Sequence, residues 1–156
     1  MQKRKITVPF IDCPSEITIV RFSLGAVKGL AVIDSGSEMT IFDKAFVEAN
    51  ADGVLIAPNK TKLNITGVSA SARNIENNNA SANLCFKDHD GFVLPLNIKG
   101  NVINLSPLTE SFKKTYGEKY VIAMIIGGDT LRGLRGSINY EKGTLTLCTP
   151  KRESNK

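Results

Sequence analysis

One carboxylate in this sequence stands where a side chain could do chemistry. Residues 30–33 form an apolar run that predicts a buried strand, and Asp34-Ser35-Gly36 follows it directly. A tight turn at this point would hold the Asp34 carboxylate at the mouth of the strand, near backbone donors. Gly36 would let another segment of backbone approach closely. The same tripeptide is also ordinary turn chemistry, so alone it does not identify a catalytic site.

Other residue types that catalyse hydrolysis are poorly placed. The single histidine, His89, lies in the hydrophilic turn KDHDG, whereas Ser-His-Asp and Cys-His catalysis both require a positioned histidine. Cys13, Cys85 and Cys148 are far apart and form no C-x-x-C pair, so neither a zinc site nor a disulfide framework is expected. We therefore expect carboxylate chemistry with no metal and no cofactor.

A second apolar segment ends in a comparable way. Residues 121–126 are apolar and lead into Gly127-Gly128-Asp129, and residues 130–134 predict a short helical piece. The two stretches together resemble the motifs of the retropepsin-like aspartic proteases, which are single-domain, dimeric acid proteases. In that family an apolar strand ends in Asp-Thr/Ser-Gly, and a later apolar-apolar-Gly segment leads into a short helix.

The resemblance spans about residues 16–147 and assigns roles to the first motif. Asp34 matches the catalytic aspartate, and Ser35, Gly36 and Ser37 match the loop that supports it. Ser37 stands where acid-adapted relatives carry a hydroxyl. A hydroxyl that donates to the carboxylate would favour its ionised form, which implies an acidic pH optimum.

The resemblance also assigns a second motif and a flap. The residues of the structural second motif are Ile125, Ile126, Gly127, Gly128 and Asp129. Asp129 is expected to stabilise this region by a local pair with Arg132 rather than to act in catalysis. The glycine-containing stretch 61–75 stands where the family has the flap that folds over bound peptide. The corresponding flap-tip and substrate-binding residues are Gly67, Val68 and Ser69.

The chain contains one Asp-Ser-Gly, so the resemblance implies a homodimer. The second catalytic aspartate would be Asp34 of another copy, each Ser35 would bond across the two-fold axis, and an extended peptide or protein would be the substrate. We expect residues 144–149 and the N-terminal strand to form the interface, because their edges would otherwise be exposed.

The elements that must position these residues are mostly strands. Period-two alternation with turn signals at short intervals predicts an all-β domain. We expect a retropepsin-like acid protease barrel with one or two short helices. It would occupy residues 16–149, between an N-terminal strand and basic tail at 1–15 and a polar tail at 150–156. Residues 101–105 are predicted as one short strand of their own, and Ile17, Ile19 and Phe22 as core.

A short helix is predicted directly after the first motif. Asp43 is suited to cap a helix over residues 44–50. Its apolar members Ala45, Phe46 and Ala49 fall at helical spacing and are expected in the core. A second helix is predicted to start at Ser106.

Composition narrows the choice of partner. The chain has 156 residues and a net charge of +5, with basic clusters at residues 3–5 and 151–152. No internal basic stripe alternates with aromatic residues, which disfavours nucleic acid. No stretch resembles a signal peptide or a membrane span, so we expect a cytoplasmic protein that binds no membrane.

Two other functions remain open. A catalytically idle dimeric barrel of the same fold could bind polypeptides or assist assembly, although an intact Asp34-Ser35-Gly36 favours the enzyme. A basic nucleic-acid-binding barrel would show salt-sensitive binding that Asp34→Asn leaves unchanged.

Overall fold

Short strands follow one another along most of the chain. The computed structural model describes residues 4–11, 17–57, 75–116 and 122–150. Within these ranges the elements are, in chain order, β1 Lys5–Pro9, β2 Ile19–Leu24, β3 Val27–Ile33, β4 Ile41–Asp43, α1 Lys44–Ala49, a 3-10 turn Ala51–Gly53, β5 Leu55–Ala57, β6 Asn79–Lys87, β7 Val93–Ile103, α2 Ser106–Tyr116, β8 Ile122–Ile126, α3 Gly128–Gly133, β9 Ser137–Asn139 and β10 Thr144–Cys148.

Six of the strands close into a barrel. Their order is β2-β3-β8-β4-β7-β6, and a bridge between Ser23 and Cys85 joins β6 back to β2. Two neighbouring pairs are parallel, β3 with β8 and β4 with β7. The predicted all-β barrel is confirmed. The described residues contain three short α-helices, where one or two were expected.

The barrel interior is filled by every second side chain of its long strands. Along β6 and β7, buried and exposed residues alternate, as a sheet with one apolar face requires. Burial of each large side chain contributes roughly 1.5–3 kcal/mol. The largest fully buried residues of these strands are Leu84, Phe86, Leu96 and Ile98.

Strand β2 departs from simple alternation because it has a core on both faces. Ile19 and Phe22 are buried as predicted, and Val20 is buried as well. Val20 belongs to the main core, whereas Ile19 packs in a second cluster with Phe112 of α2. The prediction for Ile17 is wrong: it precedes β2 and is 42% exposed.

Helix α1 begins where its cap predicts. Asp43 Oδ2 accepts a hydrogen bond from Phe46 N at 3.3 Å, which confirms the N-cap. Its Oδ1 accepts from Leu105 N at 2.8 Å, so one carboxylate also fixes the end of β7. The predicted core was wrong at Ala45 and Ala49, which are exposed. Helix α1 is turned so that Val47 is buried instead.

A small second sheet has the order β1-β10-β9. Strand β10 is paired on both sides, with β1 and with β9. The prediction that residues 144–149 present a free edge is therefore wrong. The N-terminal strand pairs with β10 of the same chain, and on its other side it meets β2 at the isolated bridge between Phe10 and Val20. None of the helices in the described ranges is long and apolar enough to cross a membrane.

Candidate active site

The loop of residues 34–40 spans the end of a strand that lies beneath it. The chain leaves β3 at Ile33 and enters β4 at Ile41, and β8 lies between these two strands, parallel to β3 and antiparallel to β4. Asp34 N donates to Ile126 O at 2.9 Å, which fixes the start of the loop on β8. This topology brings the two sequence motifs together.

Glycine is required where β8 passes under this loop. A Cβ atom on Gly127 would overlap the Met39 carbonyl oxygen and lie 2.6 Å from its carbonyl carbon. The next residue, Gly128, donates its N–H to Ser37 O at 2.6 Å. The close approach of two backbones explains the glycine of the second motif.

Gly100 serves the same purpose on the other side of the loop. The residues predicted as a separate strand at 101–105 are part of β7 as far as Ile103. A Cβ atom on Gly100 would lie 2.6 Å from Thr40 O, and Asn101 N donates to that same carbonyl at 3.0 Å. The strand continues through glycine because the loop backbone packs directly against it.

Thr40, the last residue of the loop, is fully buried and ties the loop to the β8–α3 corner. Its Oγ1 lies 2.7 Å from Asp129 Oδ1, 3.0 Å from Gly127 N and 2.5 Å from Thr130 Oγ1. A hydroxyl has one proton, and a carboxylate only accepts. The proton of Thr40 therefore goes to Asp129, and Thr130 must donate to Thr40.

Asp129 has a structural position. Its Oδ2 accepts from Thr40 N at 3.2 Å, and its Oδ1 accepts from Thr40 Oγ1 and from Thr130 N, each at 2.7 Å. The expected pair with Arg132 is replaced by these bonds to Thr40. Because both carboxylate oxygens hold the loop, Asp129 is poorly placed to act on a substrate.

Asp34 is exposed, as Asp129 is, but it accepts fewer hydrogen bonds. Its side chain is exposed, and its Oδ1 accepts one hydrogen bond, 3.1 Å long, from Gly36 N. Ser37 N donates to Asp34 O at 3.1 Å and closes the turn. Ser35 is exposed beside it. The loop thus presents the Asp34 carboxylate at the surface on a backbone that is fixed at both ends.

The Ser37 hydroxyl does not have the partner expected for it. It donates to Met39 O at 2.9 Å and accepts from Met39 N at 3.4 Å. It therefore braces the loop and leaves the Asp34 carboxylate to other donors.

A groove of about 640 Å³ lies beside this loop. Thr40 and Asp129 line it together with strands β5, β6 and β7. Its exposed apolar residues are Met39, Leu55 and Ile56, with 41%, 76% and 37% of their surfaces exposed. A groove of this size can hold apolar side chains of an extended peptide.

The remaining sequence predictions have simpler outcomes. The flap-tip residues Gly67, Val68 and Ser69 lie outside the described residues. Ile125 and Ile126 pair with β3 within β8. In the described ranges, no cluster of three His, Cys, Asp or Glu side chains could hold a metal ion. Sequence reasoning missed Thr40, because a threonine before an apolar pair carries no chemical signal of its own.

Comparisons with known proteins concern the fold. No protein-family model matches the chain, and no curated protein matches it. The chain is similar to the solved structure of the retroviral protease-like domain of Ddi1 from Leishmania major, with 16% identity over 89% of this chain and 96% of that one, at a TM-score of 0.49. It is also similar to a retropepsin-like aspartic protease from Rickettsia conorii, with 18% identity over 96% of this chain and 97% of that one, at a TM-score of 0.42. Both are of the family that the two motifs resemble, and at these identities neither speaks to activity.

Proposed function

We propose that this chain is an aspartic endopeptidase of the retropepsin-like type, active as a homodimer. The observation that carries the proposal is the exposed Asp34 carboxylate on a loop that β8 and α3 hold in place. A surface turn with no catalytic role would not need Gly127, Thr40 and Asp129 to fix its backbone. A carboxylate that must meet a reacting atom does need such support.

Two carboxylates are needed for the reaction, and the Asp34-Ser35-Gly36 motif supplies one. Peptide hydrolysis without a metal requires a base for the attacking water and an acid for the scissile carbonyl and leaving nitrogen. Two adjacent carboxylates that share one proton provide both, as in aspartic proteases generally. Asp129 is occupied by Thr40. We infer that the second carboxylate is Asp34 of another copy, because the chain contains one Asp-Ser-Gly.

The roles of the two aspartates follow from the shared proton. The ionised Asp34 accepts a proton from the water as the water oxygen attacks the carbonyl carbon. The protonated Asp34 of the other copy donates to the carbonyl oxygen, and a proton then passes to the nitrogen as the C–N bond breaks. Ser35 and Gly36 lie at the surface beside Asp34, where two copies of the loop would meet.

The groove next to the loop supports a polypeptide substrate. Exposed apolar contacts in this groove come from Met39 of the loop and from Leu55 and Ile56 of β5. We infer that apolar side chains of an extended substrate bind there while its scissile bond lies at Asp34.

The test is cleavage of a diverse peptide mixture, followed by mass spectrometry of the new termini across acidic and neutral pH. Wild-type protein should produce new termini, and Asp34→Asn should produce none. Asp52→Asn is the matched control, because Asp52 is exposed on the 3-10 turn and does not line the groove. It should cleave at the wild-type rate.

Two results would count against the enzyme. Cleavage that persists in pure Asp34→Asn protein would exclude Asp34 as the catalytic group. A wild-type protein that is folded and dimeric but cleaves nothing, while it still binds peptides, would favour the idle polypeptide-binding barrel.

A further inference from the structure

A cavity lies between β1 and β2, beyond the point where their pairing stops. Ile11 N donates to Ile19 O at 2.8 Å, and Phe10 and Val20 form an isolated antiparallel bridge. The next pair in this register is Pro9 opposite Arg21. Proline has no N–H to extend the ladder. A cavity of about 480 Å³ opens at this point.

Three cationic residues surround the cavity. They are Arg21 on β2, Lys28 on β3 and Lys87 on β6, and all three are exposed. The strand pairing at Ser23 explains why these residues are neighbours. Ser23 of β2 lies opposite Lys28 of β3 on one side and opposite Cys85 of β6 on the other. Arg21 lies two residues before Ser23, and Lys87 two residues after Cys85. Side chains two residues apart on a strand share a face, so the three cations surround one opening.

The charge of the cavity wall is positive. Asp88 is the acidic residue among the described lining residues. Its Oδ1 already accepts from Asp90 N and Phe92 N, both at 2.9 Å. Three cations therefore face one carboxylate that also holds a turn. An occupant with negative charges would complement this wall.

The interior of the cavity is apolar. Val8 and Pro9 line it from β1, and Phe22 and Ala26 line it from β2 and the turn that follows. Its volume lies in the range of small-ligand sites. An occupant that fits both features places an apolar group inside and anionic groups at the rim.

The cavity is separate from the candidate active site. Lys28 lies near the start of β3 and Asp34 just past its end, six residues further on. An extended strand rises by about 3.3 Å per residue, so these positions are about 20 Å apart. The inference made from this cavity therefore does not depend on the proposed protease activity.

We propose that this cavity binds an acidic polypeptide segment in which carboxylates flank an apolar side chain. The apolar side chain enters between β1 and β2, and the flanking carboxylates reach Arg21, Lys28 and Lys87. Arginine suits this role because its guanidinium group can hold a carboxylate through two parallel hydrogen bonds.

Two other anionic partners fit less well. Bases of a single-stranded nucleic acid need exposed aromatic rings on which to stack, and Phe22 is only 3% exposed. A membrane surface needs apolar residues that project outward, whereas Val8 and Phe22, which line the cavity, are only 2% and 3% exposed. A polypeptide supplies both a side chain for the recess and carboxylates for the rim.

The experiment measures fluorescence anisotropy of a short labelled peptide in which glutamates flank a Leu-Phe pair. The full chain is used with Asp34→Asn, so that cleavage cannot remove the probe. On this background, Arg21→Glu with Lys87→Glu is compared with Lys114→Glu and Lys142→Glu. The control lysines are exposed and lie outside the cavity. Both pairs of substitutions change the net charge equally.

We expect the cavity pair to weaken binding by about tenfold or more and the control pair by about twofold or less. The measurement is made at physiological salt, where charges more than about 8 Å from the site are screened. Thermal denaturation checks that each variant is folded, and Lys28→Glu alone provides a second variant of the same rim. It should weaken binding in the same direction.

Several results would overturn the proposal. Equal losses in the two pairs would mean that only net charge matters. Equal affinity for a peptide with glutamine in place of glutamate would exclude recognition of carboxylates. Binding to vesicles of anionic lipid, lost in the cavity pair and without any binding of the peptide, would replace the polypeptide by a membrane.

Discussion

Replacement of Thr40 by valine tests whether the loop that presents Asp34 is fixed by one buried hydroxyl. Valine keeps the shape of threonine and its preference for extended backbone, so it removes the hydroxyl and little else. The hydroxyl makes three bonds, to Asp129 Oδ1, Gly127 N and Thr130 Oγ1. All three lose their partner together.

The size of the effect can be worked out bond by bond. Gly127 N–H would be left without its acceptor below the loop, at a cost of about 1–3 kcal/mol. Asp129 Oδ1 would keep its bond from Thr130 N and lose the one from Thr40, at a cost of about 1.5–3 kcal/mol for a bond to a charged group. The Thr130 hydroxyl can rotate and limit its own loss. We expect the free energy of unfolding to fall by about 3 kcal/mol.

Urea denaturation measures this loss. For a domain of this size, about 3 kcal/mol corresponds to a fall of about 1–2 M in the urea midpoint with an unchanged slope. Thr7→Val is the matched control, because Thr7 Oγ1 makes a 3.0 Å bond to Thr146 Oγ1 on an exposed face, where water can replace it. It should change stability by about 0.5 kcal/mol or less. If Thr40→Val costs no more than Thr7→Val, the hydroxyl does not fix the loop.

Three further predictions concern the same loop. Gly127→Ala should destabilise the fold by about 3 kcal/mol or more, because the new methyl group meets the Met39 carbonyl. Gly133→Ala should be neutral in the same denaturation assay, since a Cβ there meets open space, and equal losses would contradict the packing argument. Ser37→Ala should lower the free energy of unfolding by about 1 kcal/mol. It should leave the pH–rate profile of peptide cleavage unchanged, because the Ser37 hydroxyl bonds Met39. A shifted profile would mean that this hydroxyl contacts Asp34 in the assembled site. Specific activity per chain should fall on dilution and on mixing with excess Asp34→Asn, since each active site needs two intact chains, and a rate that is constant in both titrations would contradict the dimer.

The fold could be predicted wherever local rules act alone. The alternation of apolar and polar residues along β6 and the Asp43 cap of α1 could both be predicted, because each depends on residues within or next to one element. The burial of both Ile19 and Val20 could not be predicted: Val20 faces the main core, whereas Ile19 is covered on the second face by α2, which lies far away in the sequence. The prediction that Ile17 is buried was wrong for a related reason: strand β2 begins two residues later than the alternating sequence pattern indicates.

The candidate site could likewise be predicted only in part. Asp34 and Gly127 could be found because an apolar run ending in a turn has a recognisable pattern. The partner of Asp129 could not be found by spacing, since Thr40 is distant in the chain and meets it only because β8 lies between β3 and β4. A local rule pointed to Arg132 instead. Tertiary contacts of this kind leave no periodic signal in a sequence.

The two aspartates at the ends of neighbouring strands are both exposed, and they differ in the number of hydrogen bonds that they accept. Asp129 accepts three hydrogen bonds within the fold, so its charge is used to hold the loop. Asp34 accepts one bond, from Gly36 N, and is exposed. The proposed mechanism requires a second carboxylate beside Asp34, and both oxygens of Asp129 already hold the loop. Under that proposal a second copy of the loop supplies the group, because hydrogen bonds to β8 and α3 hold the backbone that carries Asp34 while its carboxylate remains exposed.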